Sequence, residues 1–85
     1  MALSPEEMNN RGAARFAERL RRKLRTEQQV ATAHHASWFY VAISEQDHGA
    51  YADVIVEIMT EYKEVGWRNT DCIPEGGRYL LRIIQ

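Results

Sequence analysis

A single cysteine in a chain of 85 residues forces the fold to stand on its apolar core. Cys72 has no partner for an internal disulfide and cannot build a cysteine-based zinc site. A chain this short buries only part of its surface and is marginal unless that core is well made. Hydrophobic residues make up 45% of the sequence, enough for one domain over residues 1–85 and too many for a disordered chain.

The periodicity gives the elements in order. Ser4-Pro5-Glu6-Glu7 is a helix start: Ser4 caps, Pro5 suits the first helical position and Glu7 completes a capping box. Ala13, Phe16, Ala17, Leu20 and Leu24 follow at spacings of three and four, one buried stripe. Gly12 weakens this helix. Thr26 and Gln29 form a second capping box, and Val30 falls off the stripe. These features predict a break near Thr26 and a short second helix to about His34, with one long bent helix as the alternative.

Residues 37–43 are aromatic and β-branched and read as a strand. Trp38, Tyr40 and Ala42 share one face and Phe39, Val41 and Ile43 the other. Both faces are apolar, so both can be covered; a face left bare would make its aromatics a stacking platform for single-stranded nucleic acid or a protein hot spot. Residues 44–49 read as a polar turn. Tyr51, Val54, Ile55, Ile58, Met59, Tyr62 and Val65 mark an amphipathic helix. Gly66 ends it, with Trp67 folding back onto Tyr62. Residues 67–73 and 78–84 read as strands joined by the turn Pro74-Glu75-Gly76-Gly77.

The expected fold is therefore α+β, an α(α)βαββ two-layer sandwich with helices packed on a three-stranded sheet. A right-handed crossover makes the first two strands parallel. The last strand is the most apolar and belongs between them, giving the order 1-3-2.

Charge is distributed unevenly. Residues 1–35 hold seven basic against four acidic side chains, a net of +3, and residues 36–85 hold four against eight, a net of −4. On the first helix Arg11, Arg15, Arg19 and Arg22 fall within about a quarter turn of one another, with Arg21, Lys23 and Arg25 beside them. This arginine face suits phosphates or an acidic protein surface. Its bland explanation is a solvated face with internal pairs such as Glu18–Arg22. Asp53, Glu57 and Glu64, with Glu61 at their edge, form an acidic strip on the later helix. That strip is either the solvated side of a packed helix or a surface for a basic partner. A third arrangement pairs the two faces between copies of the chain.

Enzyme chemistry finds no motif. Adjacent His34 and His35 point about 100° apart on a helix and do not readily share one ion. Neither a phosphate loop nor a nucleophile elbow is present. A pocket around His34, His35, His48 and Cys72 is the least unfavourable place for one. No cofactor, no metal and no membrane contact is expected. The longest apolar run, Trp38 to Ile43, is far short of the roughly 20 residues that span a bilayer. The N-terminal residues lack the basic and apolar regions of a signal peptide. With one cysteine, the cytoplasm is the expected compartment.

The helix containing Ala14-Arg15, the later helix closing on Gly66-Trp67 and the hairpin ending in Arg78-Tyr79-Leu80-Leu81-Arg82-Ile83 together resemble small accessory proteins encoded by bacteriophages. The resemblance spans most of the chain. It implies a binder: a virion component, an inhibitor of a host enzyme, or an inhibitor of host defence such as an anti-CRISPR protein. It transfers no site residues. The expected function is a non-enzymatic protein-binding module whose partner is another protein, a host complex or a second copy. The contact residues are then Arg11, Arg15, Arg19, Arg22, Lys23, Asp53, Glu57 and Glu64. The alternative is a nucleic-acid-binding regulator that uses the arginine face.

Overall fold

A computed structural model describes residues 2 and 4–85. The elements run α1 (Pro5–Ala33), β1 (Trp38–Ser44), α2 (Glu45–Ala50), α3 (Ala52–Glu64), β2 (Asn69–Glu75) and β3 (Arg78–Ile84). The three strands form one sheet in the order β1-β3-β2. Both β1 and β2 run antiparallel to β3, so they are parallel to each other. The expected α+β class and strand order hold.

Three local expectations change. The break near Thr26 is absent, and α1 is one helix of 29 residues. Thr26 does not cap a new helix. Its hydroxyl donates back to the Arg22 carbonyl at 3.1 Å, the in-helix alternative open to threonine. The segment read as a turn is α2, because the Ser44 hydroxyl accepts from the Asp47 amide at 3.1 Å and starts a short helix. The second strand begins and ends two residues later than expected. Pro74 and Glu75 still pair across to Tyr79 and Arg78, and only Gly76-Gly77 turn, both at positive φ, as a two-residue hairpin requires.

The helix ends explain how the chain re-enters the sheet. At α3, Trp67 donates to the Tyr62 carbonyl and Gly66 to that of Lys63, the paired bonds of a Schellman close, with Gly66 at φ 109°. The rings of Trp67 and Tyr62 meet edge to face at 6.3 Å, so the expected fold-back is present. The same pair of bonds closes α1, from Ala36 to Ala31 and from His35 to Thr32.

One core joins the layers. Phe16, Leu20 and Leu24 of α1 and Ile55 and Ile58 of α3 pack with Phe39, Val41, Ile43, Leu81 and Ile83 of the sheet. Each such side chain, fully buried, stabilises by roughly 1.5–3 kcal/mol before entropy is charged. All the helical core residues meet one face of the sheet. Of the two alternatives, one covered face and one bare face is the outcome: Trp38 is 45% and Tyr40 44% exposed. The chain has two substantial helices beside β1 and β2, and both are used on the Phe39 side.

Candidate functional site

Two surfaces stand out, and β1 borders both. The first is the uncovered sheet face. Alternation along the strands places Trp38, Tyr40 and Ala42 of β1, Leu80, Arg82 and Ile84 of β3, and Asp71 and Ile73 of β2 on it. Trp38 and Tyr40 stack with centroids 5.6 Å apart. In the middle, Arg82 donates from Nε to Asp71 Oδ1 at 2.7 Å and from Nη2 to Oδ2 at 2.5 Å. Those bonds hold the Asp71 carboxyl below its ordinary pKa and raise that of Arg82. At the hairpin end Arg78 lies 3.8 Å from Glu75. Both arginines of this face are thus next to acids.

The second surface is the free edge of β1 beneath α1. The Gln85 amide donates to the Ser37 carbonyl at 2.8 Å, and these residues continue the register of the β1–β3 ladder. They form a hydrogen-bonded pair, so by alternation Phe39, Val41 and Ile43 turn their amides and carbonyls toward β3. Trp38, Tyr40, Ala42 and Ser44 turn theirs outward. A groove of about 510 Å³ lies along this edge, lined by Arg22, Lys23, Thr26 and Glu27 of α1 and by Tyr40, Val41 and Ala42. A smaller cavity continues it, lined by Arg19, Lys23, Ala42, Ser44 and Asp47 among others.

The arginine face is split by this geometry. Arg19, Arg22 and Lys23 border the β1 edge. Arg21 turns the other way and joins α3 through Glu61 at 2.8 Å. Arg22 also approaches Glu18 at 3.3 Å with both side chains well exposed, where such a pair contributes little. Arg11, Arg15, Arg19 and Lys23 have no carboxylate within ion-pair distance among the described residues. Asp53, Glu57 and Glu64 are exposed on α3, and Glu61 alone of that helix's acids bridges to α1. The two charged faces therefore sit on neighbouring helices of one layer.

The remaining titratable groups do not gather. His34 and His35 precede β1 and His48 follows it, so a strand of seven residues lies between them. His48 instead lies flat on Tyr79, with centroids 3.6 Å apart, and so docks α2 on the sheet. Cys72 is half-buried, and burial first, then the Asp71 charge, raises its thiol pKa, which makes it a poorer nucleophile. Among the described residues no three His, Cys, Asp or Glu side chains converge on one point. Among the described residues no helix is long and apolar enough to cross a membrane. Comparison with family models, with curated proteins and with solved structures finds no match.

Sequence reasoning missed the β1 edge. Its signal was present in Pro74: proline on one outer strand blunts that edge, and residues 38–44 contain none.

Proposed function

We propose that this chain is a small non-enzymatic module that binds another protein through the uncovered sheet face and the adjoining flank of α1. The composition of that face carries the reading. Trp38, Tyr40, Ile73, Leu80 and Ile84 surround one arginine already oriented by its acid. Tryptophan, tyrosine and arginine are the residues that dominate binding energy at protein interfaces.

The same pairing weighs against single-stranded nucleic acid on the sheet. A stacking platform needs cations to neutralise the phosphates, and Arg82 and Arg78 are engaged by Asp71 and Glu75. The inhibitor or assembly role implied by the likeness to phage accessory proteins is a natural use of such a surface. A second reading, a nucleic-acid-binding regulator, is favoured by one observation: Arg11, Arg15 and Arg19 along α1 are exposed and have no acidic partner among the described residues.

The test is affinity capture from cell lysate with and without nuclease, comparing the wild type with Trp38→Ala plus Tyr40→Ala and with Arg11→Ala plus Arg15→Ala. The reading expects a discrete protein that survives nuclease and is lost from the aromatic variant. Recovery of nucleic acid alone, lost from the arginine variant, would establish the second reading in its place.

A further inference from the structure

We infer that the free edge of β1 is a strand-addition site, and that its occupant is an extended partner segment in which acidic and apolar residues alternate. The inference rests on the protein-binding reading and names the chemistry of the partner.

Three observations meet at this edge. Tyr40 and Ala42 present unpaired amides and carbonyls outward, the template on which an added strand forms. The groove beside them is about 510 Å³ and extends toward Ser44, so an extended segment has room along the strand. Arg19, Arg22 and Lys23 stand over its middle, with Glu27 and Asp47 nearer its ends. An added strand would send alternate side chains to opposite faces. One set would point toward these three cations and favour carboxylates. The other set would extend the open face beside Trp38 and Tyr40 and favour apolar residues.

Charge and backbone chemistry both disfavour a second copy as the occupant. Pairing β1 with β1 about a two-fold axis places the helices on one side of the joined sheet and brings Arg19, Arg22 and Lys23 of both copies together. Pairing β1 with the outer edge of β2 meets Pro74. The β2–β3 ladder hydrogen-bonds through Asn69, Asp71, Ile73 and Glu75, by the same alternation that fixes β1. Pro74 therefore faces outward, where its missing N–H interrupts any new ladder.

The probe is a labelled peptide of alternating glutamate and valine, about nine residues long to run the length of a strand, titrated with the full chain by fluorescence anisotropy. Four peptides serve as comparisons: one with lysine replacing glutamate, one with the same composition in two blocks, and two N-methylated at alternate amides, one in each phase. Two variants are compared with the wild type: Ala42→Pro, which removes an outward N–H and no bond of the ladder, and Arg19→Ala plus Arg22→Ala plus Lys23→Ala. The alternating acidic peptide is expected to bind saturably and more weakly as salt is raised. The lysine and block peptides, one of the two N-methylated peptides and each variant are expected to bind at least about tenfold more weakly, a difference of about 1.4 kcal/mol.

Equal binding of the lysine or block peptide overturns the inference, as does equal binding of both N-methylated phases or no saturable binding at all. Self-association of the chain in sedimentation that Ala42→Pro abolishes identifies a second copy as the occupant instead. The N-methylated peptides need no altered protein, so the outcome stands even if Ala42→Pro fails to fold. A partner captured through Trp38 and Tyr40 that survives nuclease, together with a peptide that does not bind, ends this inference and leaves the protein-binding reading intact.

Discussion

Asp71 and Arg82 stand directly opposite each other in the β2–β3 ladder, and the guanidinium reaches both carboxylate oxygens. The pair occupies the centre of the uncovered face, so it has two roles. It fixes the orientation of the Arg82 guanidinium on that face, and it ties the edge strand β2 to the central strand by side chains as well as by backbone.

The pH dependence of that tie has a definite sign. The Arg82 hydrogen bonds lower the Asp71 pKa in the folded chain. Asp71 then adds stability that is fully present above the unfolded carboxylate value of about 3.9 and is lost as pH falls through the lower, folded value. Asp71→Asn keeps the shape and removes the charge. Its Tm is expected below that of the wild type at neutral pH, with the gap closing in acid below that range. Thermal melts followed by circular dichroism across pH check this, and a gap that widens in acid contradicts it.

Gly12 has a packing reason that its helix propensity hides. A Cβ at this position would lie 2.8 Å from the Tyr51 hydroxyl, and the Tyr51 ring cannot easily retreat because it stacks on Phe16 at 4.8 Å. Gly12→Ala alone is expected to gain little, since the helix benefit of about 1 kcal/mol is offset by the contact. In a Tyr51→Phe background the oxygen is gone, and the same substitution is expected to recover most of that gain. Denaturant unfolding of the four chains in this cycle measures the coupling.

His35 occupies the position that Gly66 occupies in the other Schellman close, at φ 57°. Histidine tolerates the left-handed region better than most residues, but a Cβ there is still disfavoured by roughly 1–2 kcal/mol. His35→Gly relieves this strain and gives back part of the gain through a freer unfolded chain. A net rise in stability of about 0.5–1 kcal/mol is expected, and His35→Val is expected to lower it. Opposite signs for these two substitutions in urea unfolding are the check.

The sequence disclosed most of the fold because its strongest signals were local. The Ser4 cap is made, with its hydroxyl accepting from the Glu7 amide at 3.2 Å. The Gly66-Trp67 close and the central place of residues 78–84 also follow from patterns within a few residues. What failed depended on tertiary context. The apolar character of Trp38 and Tyr40 does not say whether anything covers them, since that depends on where α1 and α3 both land. The arginines of α1 were visible as a face. Their division between a groove over β1 and a bridge to α3 needed the register of that helix on the sheet. Ser44-Glu45-Gln46-Asp47 has the composition of a turn and of a capped helix start alike, and the Ser44–Asp47 bond decides for the helix.

Thr26 offers the sharpest test of the long first helix, because the two local structures predict opposite signs. As the cap of a separate helix it would satisfy an otherwise orphaned amide, and Thr26→Ala would cost about 1 kcal/mol. Within a continuous α1 it is exposed, bonds only to the Arg22 carbonyl one turn back, and is a poorer helix former than alanine. Thr26→Ala is then expected to raise stability by about 0.5 kcal/mol. The effect is small but its sign is diagnostic, and paired urea melts of wild type and variant resolve it. A gain in stability is what one uninterrupted helix requires, whereas a loss of about 1 kcal/mol would restore the break.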